Sequence, residues 1–427
     1  MRLLPAFLLV LALVAVDARA QQDLQSSDPG RRAKAAEQLG KTRDSQNISQ
    51  LAPLLKDPDR RVRAEAVAAI VAIGTQYSLE PLSQAVRDAE PDIQILAVDG
   101  LVNFYSPGYV QSGWTASLKR FSSNVKGRFT DTSTLAIDPY LRVSPEVIAA
   151  IGRVASGGSS MDSRALACRA LGILRGKAGL PQLLEALRSK DDQVMLESLR
   201  AIEKIGDRSA APELAFLLRD LNEPVQIAAI EVTGQLQNRQ AVPVLQDILK
   251  TGSRPKVRQA ALIALAKLPE ASSRPLFSQY LNDRDKYLRA AAAEGLGRAG
   301  DKSDLDRIKK AFAAERDESP RLSMSFALAK LGDRSSLPYL LDALNSSFHR
   351  GESRPFLEEL ARDPQVLAQL YGPLLKGSRD QKKNLAQVMA VSGTAESVSY
   401  LEQLTRDSDP EVAQEAIRAY KSLKARL

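Results

Sequence analysis

The stretch DPDRRVRAEAVAAIVAIG, Asp57–Gly74, decides the fold of this chain. Within it, Val62, Ala66, Ile70 and Ile73 recur at spacings of four, four and three residues, so they lie on one side of an α-helix. A helix of this length is marginal in water when it stands alone. The stretch therefore predicts an amphipathic helix that must bury its apolar side against a neighbour.

A repeating pattern in the sequence predicts which elements this helix packs against. Prolines recur at spacings of 31, 31, 32 and 63 residues, at Pro181, Pro212, Pro243, Pro275 and Pro338. A fixed period of roughly 20 to 50 residues indicates a repeat architecture. Segment 181–187 begins a second helix with proline in its first turn, where the missing amide costs nothing. Two short helices per period must stack on the next pair and share one core.

The same turn joins the two helices in three of the periods. Its sequence is Gly-Asp-basic-Ser, at residues 206–209, 300–303 and 332–335. Glycine can adopt the left-handed conformation that ends one helix, and Asp or Ser can accept a hydrogen bond from the free amides that open the next.

Segments 57–70 and 283–297 resemble HEAT repeats, and specifically the short bacterial repeats often described as phycobilisome-lyase-like. Further copies begin near Asp28, Asp88, Asp192, Asp220, Pro255, Asp317 and Asp407, with weaker ones around Ser353 and Arg379. The resemblance implies an all-α fold, a right-handed α-α superhelix of about eleven helix pairs. It implies little about function, because HEAT arrays mostly serve as binding scaffolds and only rarely as enzymes.

Composition excludes several kinds of site. The chain has 427 residues and a net charge of +8, but only one Cys and one His. A zinc cluster, a His-rich di-iron site or a disulfide framework each needs several such residues, so we expect no cofactor and no metal. The length alone would suggest about three domains, whereas the repeats favour one elongated array.

The N-terminus has the pattern of a secretory signal peptide. A basic start precedes the apolar run Leu3–Val16, and Ala18-Arg19-Ala20 places small residues where a signal peptidase cleaves. The run is too short to cross a bilayer as a helix, although an uncleaved anchor is the alternative. We therefore expect cleavage after Ala20, no membrane insertion afterwards, and a periplasmic or secreted protein.

One insertion interrupts the array, which divides the chain into a signal peptide (1–20), N-terminal repeats (21–103), the insertion (104–142) and further repeats of the same solenoid (143–427). Segment 104–140 holds seven of the 21 aromatic residues and four basic ones. Insertions in solenoids often form the binding face, and aromatic and Arg side chains contribute strongly at interfaces. The candidate partner-binding residues are Tyr109, Trp114, Lys119, Arg120, Phe121, Arg128 and Phe129. Alternatively, these aromatics fold back and cover the flank of the array.

Other residues with potential chemistry are predicted to be structural. Cys168 shares its register with Leu199, Ile230, Leu262 and Ala293, so it should be a buried and inert core thiol. His349 lies in a polar linker. The acid pairs Asp191-Asp192 and Glu358-Glu359 are expected near helix starts. An Asp recurs at the turn and an Arg in the second turn of the first helix, at Arg63, Arg164, Arg258, Arg289 and Arg321. This pattern favours a ladder in which the Asp of one turn caps or pairs with groups of the next repeat, and a row of charges that binds a ligand is the alternative.

These observations favour a non-catalytic scaffold of the bacterial cell envelope that binds a protein partner. A hydroxylase-like oxidoreductase would need His-Glu pairs, but the only His is followed by Arg. A phycobilin-lyase-like enzyme would act on cytosolic or thylakoid-side antenna proteins, and the signal-peptide pattern contradicts that location. Nucleic-acid binding is the remaining alternative, but the basic residues are dispersed among 51 acidic ones, so we expect no nucleic-acid partner.

Overall fold

The computed structural model describes residues 22–109, 135–251 and 254–427, and throughout these residues the regular secondary structure is helical. A longer helix, here called the A helix, alternates along the chain with a second element, the B helix. Eleven such pairs and one final A helix lie in the described ranges. The prediction of an all-α fold with about eleven helix pairs is therefore confirmed.

The A helices occur once per repeat. They are α1 (Pro29–Thr42), α3 (Arg60–Ile73), α5 (Pro91–Tyr105), α7 (Met161–Ile173), α9 (Asp192–Ile205), α10 (Glu223–Gln235), α12 (Pro255–Ala266), α14 (Lys286–Ala299), α16 (Glu318–Lys330), α18 (Arg350–Leu360), α20 (Arg379–Ser392) and α22 (Pro410–Arg426).

The B helices follow the A helices and are mostly shorter. They are α2 (Ile48–Leu51), α4 (Leu79–Ala85), α6 (Pro145–Gly157), α8 (Leu180–Ala186), α11 (Val242–Thr251), α13 (Arg274–Tyr280), α15 (Leu305–Ala314), α17 (Leu337–Ala343), α19 (Pro364–Lys376) and α21 (Ala395–Leu404). In the fifth repeat a 3-10 segment, Arg208–Arg219, takes the place of the B helix.

Helix α3 shows why the sequence folds in this way. The Asp59 side chain accepts a hydrogen bond from the Arg61 amide at the start of the helix, and Gly74 ends it with a φ of 60°. Three residues of the predicted stripe, Val62, Ala66 and Ile70, are fully buried, and Ile73 is 7% exposed. The apolar stripe predicted from the spacing is thus the side of α3 that faces the core.

The Gly-Asp-basic-Ser turns act as predicted. Gly206 and Gly300 have φ values of 70° and 77°. After Gly206, the Asp207 side chain accepts a hydrogen bond from the Ser209 amide at 3.0 Å. The turns that follow α14 and α16 repeat this contact. Each turn therefore ends an A helix and begins a B element with the same two residues.

The chain forms two compact units. Unit 1 comprises the residues up to Ala210 except 138–140, and unit 2 comprises 138–140 and Ala211–Leu427. Within unit 1, the A helices from α1 to α9 pack in succession, as do those from α10 to α22 within unit 2. The C-terminal half of unit 2 has a continuous apolar core from Leu322 to Leu423.

Successive A helices approach each other closely at glycine. A Cβ atom at Gly172 would lie 2.7 Å from the Cα of Ala201, and one at Gly297 would lie 2.7 Å from the Cα of Ala327. A real Cβ does not tolerate such distances, so only glycine permits this helix spacing. The small residues of the repeat therefore determine how tightly the A helices pack.

The insertion lies inside the third repeat. Helix α5 is the A helix of this repeat and ends at Tyr105, and α6 is its B helix and begins at Pro145, after Ser144 as predicted. Helix α6 packs against α4 and α8, which are the B helices of the second and fourth repeats. The array thus continues in register across the insertion. No helix in the described ranges is both long and apolar enough to cross a membrane.

Candidate interaction surface

Most of the predicted partner-binding residues lie outside the described residues. These are Trp114, Lys119, Arg120, Phe121, Arg128 and Phe129. The exception is Tyr109, which is half-buried and whose amide donates to the Ser106 carbonyl at 3.1 Å. The insertion therefore remains a predicted binding element.

The two flanks of the insertion contact each other and the array. The Ser144 amide donates to the Tyr105 hydroxyl at 3.1 Å, which joins the flanks at the base of the insertion. The returning flank is anchored on unit 1, since Ile137 is only 6% exposed. This flank therefore lies against the array, and the alternative that the aromatic side chains of the insertion cover it stays a prediction.

Segment 135–137 crosses the C-terminal ends of α7 and α9. The Ile137 amide donates to the Ile173 carbonyl at 2.9 Å, and Arg175 Nε donates to the Ile137 carbonyl at 3.2 Å. Lys204 Nζ donates to the Leu135 carbonyl at 3.0 Å. Burial lowers the pKa of Lys204. The array thus holds an extended segment of its own chain through main-chain hydrogen bonds.

The predicted arginine ladder is present at two of the five positions. Arg63 Nε lies 2.6 Å from Asp88 Oδ2, and Arg289 Nε lies 2.7 Å from Glu315 Oε2. Both acids are less than 10% exposed. The hydrogen bond and charge of Asp88 raise the pKa of Arg63, and Glu315 acts in the same way on Arg289. These charges stabilise the junctions between repeats.

At the other three positions the arginine contacts a carbonyl or an aromatic ring among the described residues instead of an acid. Arg164 donates to the Ala155 carbonyl at 3.3 Å. The guanidinium of Arg258 lies 6.0 Å from the centre of the Tyr280 ring, and that of Arg321 lies 5.1 Å from each of two rings, those of Phe312 and Tyr339. An aromatic face or a carbonyl can replace a carboxylate because each is electron-rich.

A set of ion pairs between neighbouring repeats shares one polarity, with the basic residue in the earlier repeat and the acid in the later one. Each pair lies within one unit. The set comprises Arg32–Asp57, Arg60–Glu90, Arg63–Asp88, Lys177–Asp207, Arg219–Asp247, Arg239–Glu270, Arg274–Asp304, Arg289–Glu315, Lys309–Asp333, Arg334–Asp363, Arg379–Asp409 and Lys382–Asp407.

A second kind of charged contact occurs on the A helices of unit 2, and we call it the polar cluster. It comprises Glu294, Arg298, Lys330 and Glu359. Arg298 lies 2.8 Å from both Glu294 and Glu359, and Lys330 Nζ lies 3.2 Å from Glu359. These side chains come from α14, α16 and α18, three successive A helices. The cluster therefore joins three successive A helices through charged side chains.

The polar cluster covers an aromatic pair. The Arg298 guanidinium lies 4.8 Å from the centre of the Phe326 ring, and Phe326 stacks on Phe356 with ring centres 4.7 Å apart. Phe326 is fully buried and belongs to the apolar core of the C-terminal half of unit 2. Arg298 therefore contributes apolar cover as well as charge.

Two neighbouring carboxyls have opposite pKa shifts. Burial alone would raise the pKa of Glu359, but the charges and hydrogen bonds of Arg298 and Lys330 outweigh it and lower the pKa. Burial raises the pKa of Glu358, against smaller effects of Arg354 and Arg362. Both residues lie in the last turn of α18, so the prediction of a helix start is wrong for this pair. The helix dipole disfavours a negative charge in a last turn, and the Glu359 carboxylate is stabilised there by Arg298 and Lys330.

Polar contacts continue along the A helices on both sides of the cluster. Lys267 Nζ donates to Gln235 Oε1 at 2.9 Å, and Arg298 also donates to the Ala266 carbonyl at 3.2 Å. Further along, Arg354 donates to Gln387, whose amide donates to Glu415 at 2.9 Å. We call the side chains of Gln235, Lys267, Arg298, Lys330, Glu359, Arg354, Gln387 and Glu415 the polar row. It forms a series of polar contacts from repeat to repeat along unit 2.

The remaining candidate residues are structural. Cys168 is fully buried, and burial raises the pKa of its thiol to about 12. The four residues in its register are also fully buried, which confirms the predicted core column. Asp191 caps α9 by accepting from the Val194 amide at 3.0 Å. His349 is half-buried, 3.9 Å from Glu352. In the part of the chain that the structure describes, no three His, Cys, Asp or Glu residues form a metal-binding group.

One ion pair of the polar cluster has a spacing that is visible in the sequence. Charged residues at i and i+4 recur late in the A helices, as at Glu37 and Lys41 and again at Glu294 and Arg298. Such pairs are common on exposed helix surfaces, which conceals their role. Two such pairs do not by themselves indicate a shared face.

The sequence matches the HEAT repeats family at residues 16–102, 214–277, 248–324 and 273–361, which together exceed half of the chain. The chain therefore belongs to the HEAT-repeat family. No curated protein sequence matches it.

Solved structures with a similar fold include an engineered protein that is 20% identical, with 96% of this chain and 98% of that one covered and a TM-score of 0.36. The CpcE and CpcF complex of phycocyanin lyase from Nostoc sp. PCC7120 is 20% identical, with 81% and 94% covered and a TM-score of 0.31. The karyopherin Kap121p is 14% identical with a TM-score of 0.43, and 95% of this chain covers 48% of that protein.

Proposed function

We propose that this chain is a non-catalytic scaffold of the bacterial cell envelope that binds a protein partner along its A helices. The polar row is the observation that carries the proposal. Its donors and acceptors come from successive repeats of unit 2, so a partner would meet one small set of contacts per repeat. A long polypeptide fits such a series of contacts, since each contact is weak and the affinity comes from their sum.

The proposed binding mode has a second component, the insertion. Its base is fixed by the contact between Tyr105 and Ser144, next to the end of α5. Seven aromatic residues in segment 104–140 supply side chains of the type that dominates protein interfaces. We therefore assign the insertion the role of a local anchor, with the A helices as the extended surface.

A non-catalytic role is supported by how the reactive groups are used. The single thiol, Cys168, is buried and has a raised pKa, so it is a poor nucleophile. Glu294 and Glu359 are held in ion pairs with Arg298. These side chains stabilise the array and are not poised for proton transfer.

Export is supported by the signal-peptide pattern of residues 1–20. N-terminal sequencing of the protein purified from its native cells is expected to begin at Gln21, and cell fractionation should recover it outside the cytoplasm. An intact Met1 terminus in the cytoplasmic fraction would contradict this part of the proposal.

Binding is tested by site-specific photocrosslinking in living cells. A photoreactive amino acid at Gln235 or Lys330, both exposed in the polar row, should capture a discrete protein that mass spectrometry can identify. The matched control is Gln369, exposed on the B helix α19. Equal capture from all three positions, or capture from Gln369 alone, would contradict binding along the A helices.

A further inference from the structure

Three A helices, α7 in unit 1 and α10 and α16 in unit 2, end with the same pair of hydrogen bonds, and at α7 and α10 the residue with positive φ is not glycine. After α7, the Arg175 amide donates to the Gly172 carbonyl at 3.2 Å and the Gly176 amide to the Leu171 carbonyl at 2.9 Å. After α10, the amides of Gln237 and Asn238 repeat these two bonds at 3.1 Å, with the carbonyls of Gly234 and Thr233. Arg175 and Gln237 have φ values of 48° and 58°, uncommon for residues other than glycine.

At the end of α7 this conformation binds an extended segment. The Ile173 carbonyl accepts from the Ile137 amide, while Arg175 and Lys204 donate to the carbonyls of segment 135–137. One acceptor and two donors thus satisfy the main chain of a short extended peptide. Main-chain bonds of this kind do not depend on the side chains of the bound segment.

The end of α10 presents the corresponding groups without an occupant among the described residues. Gln235 takes the position of Ile173, Gln237 that of Arg175, and Lys267 of the next A helix that of Lys204. In the described part of the chain no donor reaches the Gln235 carbonyl, and the one partner of Lys267 is the exposed side chain of Gln235. An arriving peptide would replace a solvent-exposed contact.

An apolar side chain lies beside these groups. Ile263 is half-buried and precedes Lys267 by four residues, so both lie on the same side of α12. A peptide bound as segment 135–137 is bound would bring one side chain close to Ile263. This surface therefore combines main-chain recognition with a preference for an apolar residue.

We propose that the edge formed by the Gln235 carbonyl and the Gln237 and Lys267 side chains binds an extended segment of a protein partner through its main chain. The inference rests on the proposed function and deepens it, because it specifies the conformation in which the partner binds. Segment 135–137 of this chain is the structural template for that occupant.

The probe is a fluorescein-labelled peptide with the sequence STLAIDP, which is that of residues 133–139. Titrated with the full chain and followed by fluorescence anisotropy, it should show saturable binding. Lys267→Met removes one donor and keeps the length of the side chain, so the affinity should fall roughly 2- to 12-fold, as the loss of one hydrogen bond predicts. Lys256→Met, at the other end of α12, is the matched control and should leave the affinity unchanged.

The same assay shows whether the peptide binds at the end of α7 in unit 1 instead of at the end of α10. Lys204→Met weakens the hold on the chain's own segment, so a peptide that bound unit 1 would respond to this variant and not to Lys267→Met. That result, or the absence of saturable binding, would overturn the inference. A peptide with Asp in place of its Ile should also bind more weakly, and equal binding would contradict the apolar contact.

Crosslinking in cells separates this inference from the proposed function. The inference fails and the scaffold function stands if the peptide does not bind in the anisotropy assay and the Lys267→Met variant still shows full partner capture from position 330 in cells. If neither position in the polar row captures a protein, the scaffold function fails.

Discussion

Arg298 Nε lies 2.8 Å from Glu359 Oε2, although 61 positions separate the two residues in sequence. The ion pair therefore links α14 to α18 and passes over α16, the A helix between them. In a repeat array, contacts are expected between nearest neighbours only. A contact that skips one repeat makes three consecutive repeats of unit 2 dependent on one another.

Replacement of Arg298 should destabilise unit 2 strongly. Arg298→Met would leave Glu294 and Glu359 with fewer partners and reduce the cover of Phe326, at a cost of about 2 to 4 kcal/mol. Urea unfolding followed by circular dichroism measures the loss. Lys302→Met is the control, since Lys302 is exposed and has no ion pair among the described residues. Equal effects of the two variants would mean that the cluster is not a stabilising element.

The neighbouring acids Glu358 and Glu359 should respond in opposite directions to neutralisation. The folded state lowers the pKa of Glu359, so its contribution is present above the unfolded pKa of about 4.3 and is lost as the pH falls through the folded value. Glu359→Gln should reduce the free energy of unfolding at pH 7 by about 1 to 3 kcal/mol.

For Glu358 the sign is reversed. Its folded pKa is raised, so the penalty for its charge is absent below the unfolded pKa and appears as the pH rises through the folded value. Glu358→Gln should therefore stabilise the protein at pH 7 and have little effect near pH 4. Urea titrations of both variants at pH 7 and pH 4 test the two predictions. Changes of the same sign in the free energy of unfolding at pH 7 would contradict them.

Two glycine substitutions should separate the effect of close helix packing on stability from the effect of helix propensity. Gly297→Ala would place a Cβ 2.7 Å from the Ala327 Cα and should cost about 1 to 3 kcal/mol through overpacking. Gly372→Ala, inside α19, meets no atom within 4 Å and should stabilise the protein by about 0.5 to 1 kcal/mol. Thermal unfolding of the two variants should give Tm shifts of opposite sign.

The thiol of Cys168 should be inert in the folded protein. It is fully buried and has a pKa of about 12, so almost no thiolate is present at pH 8 and none is accessible. A disulfide reagent such as Ellman's reagent should react with one thiol per chain only after unfolding in urea. Rapid stoichiometric reaction under native conditions would contradict the burial of this residue.

The insertion should be required for partner capture but not for folding. Replacing Trp114 and Phe121 by Ala removes two of its aromatic side chains, so capture in the crosslinking assay should be lost while the circular dichroism spectrum is unchanged. Phe348→Ala removes an aromatic that is 85% exposed elsewhere in the array and should have no effect. Full capture by the double variant would assign the insertion a covering role.

The fold could be predicted because its determinants are local. The stripe from Val62 to Ile73 and the turns at Gly206 and Gly300 each lie within one period, and the period itself reveals the stacking. The insertion was also recognisable, because it breaks that period between α5 and α6. These features need no knowledge of distant contacts.

The polar cluster could not be predicted in the same way. Glu294 and Arg298 have the spacing of an ordinary surface pair, and their burial results from the approach of α18, two repeats later. The position of Glu359 is hidden in the sequence for a related reason. An acid in the last turn of a helix is favourable only when cations from other helices reach it. The partners of Arg258 and Arg321 likewise depend on which side chains the preceding and following B helices supply.

The shared polarity of the ion pairs has a consequence for how this chain can change in length. Each of these ion pairs has its cation in the earlier repeat and its acid in the later one, as in Arg274–Asp304 and Arg334–Asp363, so the paired junctions share one direction. Loss or duplication of one whole period would join matching surfaces, whereas a change of half a period would not. The repeats of each unit therefore have a fixed direction, and the three repeats that Arg298 and Glu359 join must also stay consecutive.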